Sequence, residues 1–276
     1  MNTHDHDHHD HGLADLLDLD ADVLADALRS VHADIERLAD SPVRTILDLG
    51  AGTGTGTFGL LQHFPDARAI AVDASEEMLE HLTRRATHLG VDDRVTTLRA
   101  DLDDAVPAVE PVDLAWASAS LHHLADPDRT LGQLVRAIRP GGLVAVVELA
   151  GFPRFLPDGS PGAAAESRAH ALLTADRAVD MPTMGDDWGA RLAAAGLAVE
   201  ESRTIVVDLA PPLPGRAGDY AAATLERVQQ AVGDRLTTED RSELDGLLGG
   251  GPDDVRHRAD LVIRTTRWLW IARRTA

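Results

Sequence analysis

Residues Thr45 to Asp73 read T-I-L-D-L-G-A-G-T-G-T-G-T-F-G-L-L-Q-H-F-P-D-A-R-A-I-A-V-D, and the fold is decided in this stretch. Ile46, Leu47 and Leu49 form a short apolar run, as in a buried strand, and the run stops at a glycine cluster. Gly50, Gly52 and Gly54 lead into Phe58, Leu60, Leu61 and Phe64, spaced for one face of a helix that Pro65 closes. A second apolar run, Ala69 to Val72, ends on Asp73. The pattern predicts strand, glycine turn, helix and strand, with a carboxylate at the tip of the second strand. Glycines at such a turn adopt positive φ and let the backbone approach a ligand closely. An acid at the next strand tip is placed to accept from two ribose hydroxyls. The unit therefore predicts a nucleoside-containing ligand across the strand ends.

A dinucleotide site would carry G-x-G-x-x-G, with the pyrophosphate at the helix N-terminus. Here the spacing is G-x-G-x-G, and Asp48 precedes it by two residues. An acid there suits a cationic amine better than a pyrophosphate. D-L-G-A-G-T-G (48–54), with V-D-A-S (72–75), resembles the class I S-adenosylmethionine-dependent methyltransferases. Two later stretches extend that resemblance in order: V-D-L-A-W-A-S-A-S-L-H-H-L (112–124) and I-R-P-G-G-L-V-A-V-V-E (138–148). It covers residues 40–150 well and the rest in outline.

The resemblance implies an α/β fold: a doubly wound, mostly parallel sheet of Rossmann-like type, its last strand antiparallel, with a helical cap. It implies S-adenosyl-L-methionine as cofactor, held by Asp48, Gly50, Ala51, Gly52, Gly54, Asp73, Ala74, Met78, Asp101, Leu102 and Ser118. Asp101 would accept from the adenine amino group while Leu102 packs near the ring; the competing reading makes Asp101 a loop or capping acid.

Composition narrows the alternatives. There is no cysteine, so disulfides, thiolate metal sites and cysteine-held iron–sulfur clusters are excluded. All 26 basic residues are arginine, which removes a Walker-A lysine and a lysine Schiff base. The net charge of −20 opposes nucleic-acid partners, since phosphate affinity rests on basic side chains. Aromatics, at 3%, are too few for a base-stacking surface. No apolar run approaches the ~20 residues of a membrane span, and no secretory signal is visible. The expected setting is cytoplasmic, with a small-molecule methyl acceptor.

The organisation expected is a His/Asp-rich tail over 1–12, disordered, followed by a single domain over 13–276. Within it, 13–40 would form N-terminal cap helices and 41–150 the cofactor-binding core, with 151–185 and 211–258 as substrate-cap insertions. His4, His6, His8, His9 and His11 give the tail a loose divalent-metal affinity without fixed geometry. Asp15 to Leu38 carries helical periodicity, with Asp20 as an N-cap for its second part. Ser75 reads as the N-cap and Gly90 as the stop of a helix after Asp73. Asp126-Pro127 starts a later helix, which Pro140-Gly141-Gly142 ends.

Methyl transfer from a sulfonium needs alignment and exclusion of water, and no covalent intermediate or metal. A base matters only when the acceptor atom carries a proton that must leave. His122, His123 and Glu148 at the carboxyl edge of the sheet are the catalytic candidates, with His170 as a further base. Each also has a structural reading, the histidines bonding to their loop and Glu148 anchoring backbone donors. Trp116, Phe152 and Phe155 would wall an acceptor pocket, or pack in the core. Two other classes of function remain open from sequence: an NAD(P)-dependent oxidoreductase, and a non-catalytic S-adenosylmethionine-binding protein.

Overall fold

The computed structural model describes residues 4–275, with side chains from residue 12 onward. It divides into two compact units. One holds the chain up to Ala25 with residues 150–184 and 206–266; the other holds residues 26–149, 185–205 and the chain from Arg267.

The second unit carries the parallel sheet. The strands of the sheet are β1 (Thr45–Leu49), β2 (Arg68–Asp73), β3 (Val95–Arg99), β4 (Val112–Ser118) and β5 (Ile138–Leu149), completed by β6 (Leu197–Leu209) and β7 (Ile263–Arg274). The order across the seven strands is β3-β2-β1-β4-β5-β7-β6. β1 to β5 pair in parallel, and β7 runs antiparallel to β5. From β1 the chain winds one way to β2 and β3, then returns on the other side to β4 and β5. The strand order therefore reverses between β1 and β4, the place where open α/β sheets bind ligands.

The central strands explain why the sheet sits in the core. Ile46, Leu47, Leu49, Leu114, Ala115, Ala117 and the run Leu143–Val147 are all buried, as expected of parallel strands covered on both faces. The covering helices include α2 (Ala25–Leu38), α3 (Thr55–His63), α4 (Glu76–Leu89), α5 (Pro127–Ala137) and α7 (Trp188–Ala194). Ser75 Oγ accepts from the Met78 N–H at 3.3 Å, and Gly90, in the left-handed region at φ 68°, ends α4. Asp126 caps α5 through the Arg129 N–H at 3.1 Å, with Pro127 in the first turn. Pro140-Gly141-Gly142, read as a helix stop, lies inside β5. The pairing jumps there from Val112↔Ile138 to Leu114↔Leu143, so the strand takes up the extra residues as an irregularity.

The first unit contains α1 (His4–Val23), α6 (Ala163–Asp180), α8 (Ala217–Val232) and α9 (Thr238–Leu248), with α8 packed against the other three. Its buried face runs through Tyr220, Ala221, Leu225, Val228 and Val232.

The backbone of residues 4–12 belongs to α1. No proline interrupts the run, and a helix already nucleated by its packed part extends at little cost. Asp20 is not an N-cap: it lies within α1, and its carboxylate accepts from the Tyr220 hydroxyl at 2.5 Å. The histidine side chains read as a loose metal site lie outside those described.

Candidate functional site at the strand tips

The chain leaves β1 at Leu49 and turns through three left-handed glycines, Gly50 (φ 68°), Gly52 (φ 52°) and Gly54 (φ 83°). Side chains are excluded at the first and last for a second reason. A Cβ on Gly50 would lie 2.5 Å from Ser120 Cβ, and one on Gly54 would lie 2.6 Å from Leu82 Cγ and 2.8 Å from Phe58 Cε2. The turn is closed by the Gly54 N–H bonding to the Ala51 carbonyl at 2.9 Å, and tied to β2 by the Ala51 N–H on the Val72 carbonyl at 2.9 Å.

Asp73 reaches into this turn. Its Oδ2 accepts from the Gly52 N–H at 2.8 Å and its Oδ1 from the Ser75 N–H at 2.9 Å. The carboxylate is half-buried, and each oxygen keeps further acceptor capacity beyond its backbone bond.

Asp48 lies behind the turn. It is 2% exposed and accepts from the Thr57 hydroxyl at 2.5 Å. Burial, with the nearby Asp73 charge adding to it, pushes its carboxyl up to about 7 from the ordinary 3.8. A buried carboxyl poised at neutrality is an energetic opening for a cation. Sequence reasoning missed Thr57. The available signal was helical phase, since Thr57 shares a face with Leu60 and Leu61, which are buried.

The remaining candidates border the same edge. Ala74 is exposed after Asp73, and Met78 is buried in the first turn of α4. Asp101 is exposed, and its Oδ1 accepts from the Asp103 N–H at 2.9 Å, an Asx-type turn. Leu102 is buried in the core. Ser118 ends β4, and the following Ala119 is held at φ 51°, unusual for a residue with a Cβ. Ser120 then donates to the Leu49 carbonyl at 2.8 Å, backing the glycine turn. Ala119 was not singled out in the sequence.

Glu148 Oε2 faces His122 Nδ1 at 2.7 Å, both side chains buried, and Oε1 accepts from the Leu121 N–H at 3.0 Å. A carboxylate can only accept, so His122 donates through its Nδ1–H. His123 is exposed, its ring centroid 4.2 Å from that of His122.

Other candidates fall elsewhere. His170 belongs to α6 in the other unit, buried against Phe152 with ring centroids 6.0 Å apart. Burial, with Arg154 nearby, lowers it to about 4. Trp116 and Phe155 are core residues, 1% and 0% exposed. Phe152 lines a cleft of about 330 Å³ within its own unit, with Arg154, Val207 and Thr265. Among the described residues no cluster of three or more His, Asp or Glu is placed to hold a metal, and no helix is long and apolar enough to cross a membrane.

The donor set fits the cofactor that the sequence pattern implies. The strand tips offer carboxylate oxygens for hydroxyls, a glycine turn, and a buried acid suited to an ammonium.

Residues 46–142 match the family model described as a methyltransferase domain. Over 102 residues the chain is 40% identical to trans-aconitate 2-methyltransferase of Azoarcus sp. (strain BH72), covering 37% of this chain and 38% of that one. Over 160 residues it is 30% identical to 27-O-demethylrifamycin SV methyltransferase of Amycolatopsis mediterranei (strain S699), covering 58% and 56%. The match thus spans little more than half of these relatives at most. Among solved structures, the cyclase SpnF superposes with a TM-score of 0.52 at 17% identity, covering 91% of this chain and 82% of that one. That likeness concerns the fold alone, and a cyclase on it shows that fold does not decide chemistry.

Proposed function

We propose, from the premise that residues 46–142 place this chain in the class I S-adenosylmethionine-dependent methyltransferase family, that it transfers a methyl group to a small-molecule acceptor. The observation that carries this reading is the Asp73 carboxylate held 2.8 Å from the Gly52 N–H at the tips of parallel strands. Asp48 stands buried behind the same turn.

In this reading Asp73 accepts from the ribose hydroxyls, and the backbone of Gly50, Ala51, Gly52 and Gly54 packs along the cofactor. Asp48 pairs with its ammonium. Asp101 and Leu102 flank the adenine, while Ala74, Met78 and Ser118 complete the walls. When bound, S-adenosylmethionine supplies a methyl carbon activated by a neighbouring sulfonium. The chain's residues have the remaining tasks of aligning the acceptor, excluding water and, for an O–H or N–H acceptor, removing a proton. His122 is the residue assigned the last task, its ring oriented by the Nδ1–H bond to Glu148. His123 is the alternative base at the surface.

The three substrates named by relatives, trans-aconitate, 27-O-demethylrifamycin SV and demethylmenaquinone, are different small molecules. They support the class of acceptor and no particular member of it. A cytoplasmic enzyme without nucleic-acid or membrane partners accords with the charge of −20 and the absence of cysteine. The test is incubation of the protein with methyl-deuterated S-adenosylmethionine and a small-molecule extract. A product heavier by one labelled methyl group is expected, and failure to label any acceptor under conditions where cofactor binds would reject methyl transfer.

A further inference from the structure

The glycine turn is gripped from two sides, and both grips come from the β2–α4 segment. On one side Asp73 holds the Gly52 N–H. On the other, Arg85, three turns into α4, donates from one guanidinium nitrogen to the Thr53 carbonyl at 3.2 Å and the Thr53 hydroxyl at 3.3 Å. The same guanidinium lies over the Phe58 ring, 5.3 Å from its centroid. Leu82, one turn earlier on the same face of α4, fills the space against Gly54.

Thr53 sits between two left-handed glycines and is 1% exposed. A carbonyl buried in so short a turn needs a partner, and the flanking glycines add no side-chain restraint of their own. Holding Thr53 in place adds a restraint on the turn that keeps Gly52 facing Asp73. Arginine suits this position, because one of its guanidinium nitrogens reaches both Thr53 acceptors while its planar face lies over the Phe58 ring.

We propose that Arg85 is a positioning residue for the cofactor turn, acting through Thr53 and touching no ligand itself. This rests on the reading of the turn as an S-adenosylmethionine site. Its effect is to preorganise: in its absence the turn samples other shapes, and binding must first select the competent one.

The test titrates S-adenosylhomocysteine by calorimetry into the wild-type chain, Arg85→Met and Arg85→Lys, with Arg84→Met as control. Amide hydrogen exchange is followed over residues 50–54. Arg84 lies on the exposed side of α4, 3.9 Å from Glu80. Arg85→Met should raise Kd about tenfold and speed exchange at Gly52, Thr53 and Gly54. Arg85→Lys, which keeps the charge and a donor nitrogen but not the planar face over Phe58, should fall between wild type and Arg85→Met in both, and Arg84→Met should change neither. A folded Arg85→Met with Kd within twofold of wild type overturns the proposal. So does a weaker Kd with unchanged exchange over 52–54. If Arg85→Met does not fold, Arg85→Lys decides by the same two readouts, intermediate values supporting the role and wild-type values rejecting it. Should the wild-type chain not bind S-adenosylhomocysteine, the functional reading fails, while the exchange data still judge Arg85.

Discussion

Thr57 supplies a hydrogen bond to a carboxyl that water does not reach: its hydroxyl stands 2.5 Å from Asp48 Oδ2, and Asp48 is 2% exposed. One hydroxyl offsets only part of the cost of burying that charge, so the group stays protonated up to about pH 7. The folded chain therefore holds a proton between about pH 4 and 7 that the unfolded chain has released. By linkage, stability falls as pH rises through that window. Asp48→Asn, which keeps an acceptor for Thr57 and removes the ionisation, should be more stable than wild type above pH 7, by about 4 kcal/mol at most. The two should converge near pH 4. Urea denaturation of both chains from pH 4 to 8 checks this, and a constant difference across the range would reject the raised pKa.

The same ionisation should appear in cofactor affinity. An ammonium beside Asp48 favours the carboxylate, so binding of S-adenosylhomocysteine should weaken as pH drops below 7 and release a proton near neutrality. Calorimetry in two buffers of different ionisation enthalpy measures that proton. In Asp48→Asn the release should vanish, and affinity should be lower and flat from pH 6 to 8.

Gly56 illustrates how magnitude decides a sign. In an exposed helix Gly→Ala would stabilise by ~1 kcal/mol. Here the new Cβ would fall 2.5 Å from Trp116 Nε1, and Trp116 is 1% exposed with His32 edge-on against it at 5.8 Å. A fully packed indole cannot swing aside, and overpacking of this kind costs ~1–3 kcal/mol. Gly56→Ala should therefore destabilise, by up to about 2 kcal/mol after the helix gain is subtracted, in denaturant titrations.

Glu148 holds two buried donors, the Leu121 N–H and the His122 Nδ1–H. Removing the acceptor leaves both unpaired, at ~1–3 kcal/mol each. Glu148→Ala should lose about 2–5 kcal/mol of stability, and Glu148→Gln, which keeps one carbonyl oxygen, less than half as much. If His122 takes a proton from the acceptor, His122→Asn should lower kcat by ~10²–10⁴-fold, and a smaller loss would make the pair purely structural.

What could be read from the sequence was what neighbouring residues settle between themselves. The strand from Ile46 to Leu49, the glycines after it and Asp73 lie within 28 residues, and period and turn chemistry suffice to order them. The strong central runs Leu114–Ala117 and Leu143–Leu149 fixed a parallel sheet for the same reason. The Tyr220–Asp20 bond joins residues 200 positions apart, so local periodicity had no means of showing that Asp20 was already engaged. The Thr57–Asp48 and Ser120–Leu49 contacts depend on helix phase and strand order, which only the assembled sheet defines. Trp116 was ambiguous between pocket and core because its residue type suits both; its burial against Gly56 resolves it.

The central claim is that the strand-tip carboxylate holds the sugar of S-adenosylmethionine, and calorimetric titration of S-adenosylhomocysteine into the wild-type chain and Asp73→Ala addresses it. One site per chain is expected, with Asp73→Ala weaker by ~2–4 kcal/mol through loss of charge-assisted hydrogen bonds. Equal affinity in the two proteins, or heat from a nicotinamide dinucleotide and none from S-adenosylhomocysteine, would contradict the account.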